Sequence, residues 1–355
     1  MRVSKQLVFL LVGWIILNIT SANAQDRKEP STWQIYTDAK KQFEKFERLH
    51  GRFVHTDNVK MHYLSWGDPE NPCLIWAHGS MNTGYELVNI ADSLVDAGYF
   101  VIAIDYYGHG QTPIPDHEVS IYHIADDIKY LMDQLSIKKA FIGGFSRGGY
   151  VATAFYHSYP DHVSGLILED GGSVAANTYY QRLEPKKLEK LAENFNRKQL
   201  APWDSTYRTE YDAFTALYDQ DDPNNQFPIL ALLSAEGQGS WNIVYSEMMK
   251  LFNLENSRQF LDLVLRPATV PLFARSMVMI EPQVVFRNLK VPVLILDPVI
   301  EDDPMPFQWE NEALKSMHPD LIEHIIYPDT EHNIHYAQPK RFIRDVVAFL
   351  NKSNK

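Results

Sequence analysis

The octapeptide "GGFSRGGY" (residues 143–150) decides how the rest of the chain is read. It grows out of the apolar run "AFIGGF" (140–145) and leads into a helix-like segment, and its one serine, Ser146, has Gly144 two positions before it and Gly148 two after. A serine on a sharp strand-to-helix turn has strained backbone angles, and glycines at those two spacings keep side chains out of a crowded space. A helix starting at Arg147 would aim its N-terminal N–H groups and the positive end of its dipole at the turn, where an oxyanion would form. The rival reading is a phosphate-cradling loop. The stretch lacks the Lys-Ser/Thr ending of a P-loop, and its glycines are out of register for the dinucleotide fingerprint.

Working outward, short apolar runs recur: "CLIWA" (73–77), "FVIAI" (100–104), "GLILE" (165–169), "VPVLIL" (291–296) and "HIIY" (324–327). Helix-length patterns lie between most of them, which predicts a parallel sheet with crossover helices. Upstream, "GRFVHT" and "VKMHYLSWG" alternate like an antiparallel pair across Asp57-Asn58, after an amphipathic stretch carrying Trp33, Tyr36, Phe43, Phe46 and Leu49. Residues 173–288 break the rhythm. They hold no convincing buried strand and several helix-like segments, so they read as an inserted helical cap. The expected fold is α/β, with a mostly parallel doubly wound sheet. Its parts are a signal over 1–24, the core over 25–172 and 289–355, and the cap over 173–288.

The N-terminal expectation comes from Arg2 and Lys5, the apolar "QLVFLLVGWIIL" and the small residues of Ala22-Asn23-Ala24. These fit a cleaved secretory signal, and the apolar run is shorter than the roughly 20 residues of a spanning helix. The protein is thus expected in the periplasm or outside the cell, without a stable membrane anchor. The only cysteine, Cys73, excludes an intrachain disulfide. The formal net charge of −12 becomes −14 once Arg2 and Lys5 leave, which argues against nucleic acid as a partner.

Taken together, the serine turn, "WAHGSMN" (76–82), "DYYGHGQT" (105–112) and the late "YPDTEHNIHYAQPKRF" (327–342) resemble the α/β-hydrolase family in its capped form. The resemblance covers roughly residues 50–172 and 289–350. It implies a Ser146–His332–acid triad and an oxyanion hole made by the backbone N–H groups of Ser80 and Arg147, with no metal or organic cofactor. His78 is then structural, and His109 belongs to a wall-forming turn. His335 is the fallback base, and a His332/His335 metal pair finds no further ligand cluster in the sequence.

The acid is favoured at Asp303, just before Pro304 in "LDPVIEDDPMP", with Asp302, Asp297, Asp170 and Glu169 as competitors. The expected chemistry is attack on a carbonyl through an acyl-enzyme, and a serine nucleophile argues against the aspartate-based dehalogenases and epoxide hydrolases of the family. An aromatic- and Met-rich cap, including Tyr179, Tyr180, Phe214, Tyr218 and Met248, points to a small or medium hydrophobic or aromatic ester as the small-molecule substrate. The alternatives are an amide, a lactone or a carbon–carbon bond cleaved by the same triad, or a non-catalytic binding protein that keeps the shell.

Overall fold

Alternation along each apolar run explains the sheet. Cys73, Ile75 and Ala77 enter one hydrophobic cluster while Leu74 and Trp76 enter another, and Phe100, Ile102 and Ile104 part from Val101 and Ala103 in the same way. Period-two alternation with both faces apolar requires a cover of helices on each side. The computed structural model describes residues 30–354 apart from 196–205, 221–225, 236–239, 244, 302 and 304–305. The expected signal and Asp302 lie outside the described residues.

In chain order the strands are β1 (Gly51–His55), β2 (Lys60–Trp66), β3 (Cys73–Ala77), β4 (Phe100–Ile104), β5 (Ala140–Phe145) and β6 (Val163–Glu169). After them come β7 (Thr206–Tyr207), β8 (Leu233–Ala235), β9 (Trp241–Ile243), β10 (Val293–Val299) and β11 (Ile322–Pro328). The main sheet runs β1-β2-β4-β3-β5-β6-β10-β11. The β1–β2 and β2–β4 pairs are antiparallel and the rest are parallel. This is the α/β-hydrolase architecture expected from the sequence.

The helices begin with α1 (Thr32–His50), capped by Ser31, whose hydroxyl accepts the Gln34 N–H at 3.2 Å. The core helices are α2 (Ala91–Asp96), α3 (Ile121–Gln134) and α4 (Arg147–Ser158). Next come α5 (Thr178–Arg182), α6 (Pro185–Ala192), α7 (Glu210–Leu217), α8 (Gln226–Leu232), α9 (Tyr245–Leu251) and α10 (Ser257–Leu265). The chain ends with α11 (Leu272–Met279), α12 (Pro282–Val285), α13 (Gln308–Met317), α14 (Ile334–Ala337) and α15 (Pro339–Ser353). Ile124, Ile128, Val151 and Phe155 of α3 and α4 fill one face of the sheet, and Leu94, Phe342, Val346 and Phe349 of α2 and α15 fill the other.

Two details differ from the sequence reading of the cap. β7, β9 and β8 form a small antiparallel sheet of two- and three-residue strands, too short for any alternation to register. At the end of the expected cap, α11 packs on α3 as well as on α10, α12 packs on α4, and Ser276 Oγ accepts the Ile121 N–H at 3.0 Å. Their amphipathic pattern reveals a buried face without saying which neighbour covers it.

Candidate active site

Parallel pairing sets the site. Ala77 stands opposite Gly144, Phe145 opposite Glu169, and Glu169 opposite Leu296, so the C-terminal ends of β3, β5, β6 and β10 share one edge. The residues that follow, His78, Ser146 and Asp170, therefore leave the sheet side by side, where open parallel sheets place their ligands.

Ser146 has φ 53° and ψ −118°, a conformation that costs a non-glycine residue about 1–3 kcal/mol. Neighbouring glycines permit it. A Cβ on Gly144 would lie 2.2 Å from the Gly148 carbonyl carbon, and one on Gly148 would lie 1.9 Å from the Ala77 carbonyl oxygen. The turn is pinned by the Ser146 N–H donating to the Glu169 carbonyl at 2.8 Å.

Ser146 Oγ donates to His332 Nε2 at 2.9 Å, and His332 Nδ1 donates to Asp170 Oδ2. The loop between β11 and α14 presents the imidazole, and the Phe145 ring packs beside it with centroids 4.7 Å apart. Burial disfavours the charged imidazole, but the Asp170, Glu169 and Asp303 carboxylates more than offset this, so His332 sits above the ordinary histidine value. Burial pushes the Asp170 carboxyl up to about 6, against the pull of His332. Several carboxylates thus act together to favour the charged imidazole in this buried ion pair.

The acid expected at Asp303 is thus corrected. Asp303 Oδ2 accepts from Gln308 Nε2 at 3.0 Å and reaches His332 only through its field, whereas Asp170 touches the ring. Asp170 has φ 43° at the end of β6, and this left-handed turn precedes Gly171-Gly172. Asp297 is taken up by Gln308, Asn311 and His324 at 3.0, 2.8 and 2.8 Å. Glu169 serves His335 instead, accepting its backbone N–H at 2.9 Å and pairing with Nδ1 at 2.7 Å. The two histidines of His-x-x-His therefore belong to two separate carboxylates.

His78 is buried, its Nδ1 donates to the Gly79 carbonyl at 2.7 Å, and its ring stacks on Tyr106 at 4.0 Å. Burial lowers it to about 4, so it stays neutral and structural. His109 is likewise held far below its usual value by burial, and its Nδ1 donates to the Tyr107 carbonyl at 2.9 Å. Ser80 follows β3 and Arg147 opens α4. The two are tied by Arg147 Nη1 donating to Ser80 Oγ at 2.7 Å, while the guanidinium lies 4.1 Å from the centroid of the Phe252 ring. The cap closes over this loop where Met248 Sδ accepts the Met81 N–H at 3.2 Å. Glu86, a buried carboxylate under the same loop, carries no motif in the sequence and was not foreseen.

Sheet order and edge-mounted polar residues define an α/β hydrolase. The chain belongs to the alpha/beta hydrolase fold family, whose model matches residues 72–338. It is 31% identical to Epoxide hydrolase 1 of Caenorhabditis elegans over 36% of this chain and 33% of that protein. It is 27% identical to 3-oxoadipate enol-lactonase 2 of Acinetobacter baylyi over 52% of this chain and 66% of that one. Among solved structures, carboxylesterase CesB (YbfK) of Bacillus subtilis superposes with a TM-score of 0.58 at 15% identity, covering 89% of this chain and 98% of that one. The chain spans between 33% and 46% of the length of the curated relatives it matches at 31–32% identity. The fold and the family are those of the α/β hydrolases.

Proposed function

We propose that the protein is an exported serine esterase in which Ser146 is the nucleophile, His332 the general base and Asp170 the acid that orients it. The observation that carries this reading is the continuous Ser146–His332–Asp170 hydrogen-bond chain on a strained turn at the sheet edge. His332 takes the serine proton as Oγ attacks the carbonyl, and Asp170 fixes the tautomer with the proton on Nδ1 and stabilises the imidazolium. The N–H of Arg147 at the start of α4, with that of Ser80 beside it, holds the oxyanion. His332 then returns the proton to the leaving alcohol, and water releases the acyl group by the same steps in reverse roles.

Met248 and Phe252, reaching from the cap to the loop and to Arg147, support a small or medium hydrophobic or aromatic ester as substrate. The carboxylesterase and lactonase relatives support carboxylic-ester chemistry, open-chain or cyclic. A serine at position 146 favours an acyl-enzyme over the aspartate-based chemistry of epoxide opening. The basic start and Ala22-Asn23-Ala24 support cleavage near Gln25 and release into the periplasm or beyond.

The test is hydrolysis of short-chain p-nitrophenyl esters by the mature protein, with stoichiometric labelling by a fluorophosphonate. Ser146→Ala should abolish both. Turnover that survives this substitution would refute the reading, and N-terminal sequencing of the exported chain checks the cleavage site.

A further inference from the structure

The loop that carries Ser80 is held from beneath by a carboxylate that the triad does not use. Glu86 lies in the 3-10 turn Gly84–Leu87 and is 2% exposed. Its Oε1 accepts the Trp76 indole N–H at 2.5 Å, and its Oε2 accepts the Gly79 backbone N–H at 3.2 Å. Both donors belong to the segment that runs from β3 into Ser80. On its other side Gly79 is confined by Phe145, the residue before the nucleophile, since a Cβ on Gly79 would come within 2.4 Å of that ring. The Gly79–Ser80 stretch is therefore clamped between a carboxylate and the nucleophile's own turn.

We propose that Glu86 is a positioning residue for the oxyanion hole, accepting from Trp76 and Gly79 together so that the Ser80 N–H points at the carbonyl oxygen under attack. The inference rests on the assignment of Ser146 as nucleophile and Ser80 and Arg147 as oxyanion donors. Two donors, one on each oxygen, suit an ionised carboxylate. A protonated acid gives up acceptor strength on one oxygen and brings an O–H that needs its own partner.

Other titratable groups face this carboxylate: His335 from the base loop, Glu169 from the end of β6, and Tyr106 from the turn after β4. Burial raises Glu86 to about 7, helped by the Glu169 charge and opposed by His335 and the two N–H donors. The clamp is thus complete above that pH and weakened below it. His332 must also be neutral to act as base, so acidification removes activity through two ionisations of the same sign.

The experiment measures kcat and KM of Glu86→Gln on a p-nitrophenyl ester across about pH 5–9, counting intact sites with a fluorophosphonate. An amide offers one acceptor oxygen and must turn an NH₂ toward the other donor. The expected result is a fall of about 10- to 100-fold in kcat per labelled site, KM within about twofold, and an acid limb reduced to one ionisation. Trp76→Phe, which leaves the Gly79 bond in place, should show a smaller loss of the same kind. The proposal is overturned if kcat per labelled site in Glu86→Gln stays within about twofold of the parent with the same acid limb. It is equally overturned if only the number of labelled sites falls, because that is the mark of a purely structural role. Turnover surviving in Ser146→Ala would instead remove the assignment beneath it, a result separable from either outcome at position 86.

Discussion

Asp170 shows how one backbone angle selects a partner. With φ 43° it turns its carboxylate toward His332, and the Gly171 that follows has no side chain to strike the Ser146 carbonyl, 2.0 Å from where a Cβ would sit. Replacing Asp170 by Asn should lower kcat by about 10⁴, because the imidazole would take the wrong tautomer. Asp303→Asn, which changes a hydrogen bond to Gln308 and a charge that acts on His332 through its field, should cost less than about tenfold. A kcat comparison of the two variants decides between them. The pH profile adds a second check. His332 is raised above its ordinary value and, as the proposed base, must be neutral to act, so activity should fall as pH drops through that raised value. Asp170→Asn removes the main charge that raises it, so the residual activity should persist to lower pH. Ser146 and His332 were legible in the sequence because glycine spacing states a backbone requirement and a histidine follows the last strand. The carboxylate that pairs with His332 was not legible. Asp170 follows β6, Asp297 lies within β10 and Asp303 follows it, and only the partners that claim Asp297 and Asp303 decide which carboxylate is left for His332.

At the level of elements, the join between β3 and α4 concentrates the constraint. A Cβ on Gly148 would lie 1.9 Å from the Ala77 carbonyl and 2.7 Å from that of His78, both backbone atoms that yield only if the two elements move apart. Gly148→Ala should therefore lower stability by ~1–3 kcal/mol and cut kcat sharply, since separation spreads the Ser80 and Arg147 donors. Gly98→Ala separates strain from crowding. Gly98 has φ 92° with nothing within 4 Å of an added Cβ, so that variant should lose about 1–2 kcal/mol with kcat unchanged. Thermal midpoints and ester turnover of the two variants provide the comparison. The same scale explains what the sequence hid in the cap. α11 packs on α3 of the core as well as on α10 of the cap, α12 packs on α4, and an apolar face does not name its partner.

Across the whole molecule, α1 joins the regions. Near its start, Tyr36 and Lys40 bond to Glu210 of the cap, and Trp33 packs edge-on against Tyr211. Near its end, Glu47 bonds to His62, Tyr85 and Gln111, and His62 pairs with Asp105 at 2.7 Å. Burial disfavours the His62 charge, yet Asp105 and Glu47 outweigh it and raise the group to about 9. A histidine raised on folding gives stability that is fully present below its unfolded value near 6.5 and lost as pH climbs through the folded one. Unfolding free energy should thus decline by about 3 kcal/mol between those limits, and urea titrations of His62→Gln should show a shallower decline. The bridge made by α1 also fixes an order of assembly. Tyr36 and Lys40 lie 174 and 170 residues before the glutamate they hold. A chain made amino end first presents α1 early and Glu210 late, and contacts of such long range close slowly. By that argument α1, the first of the described helices, is among the last to dock, and until it does the cap is held to the core only through contacts such as those of Met248 and Phe252.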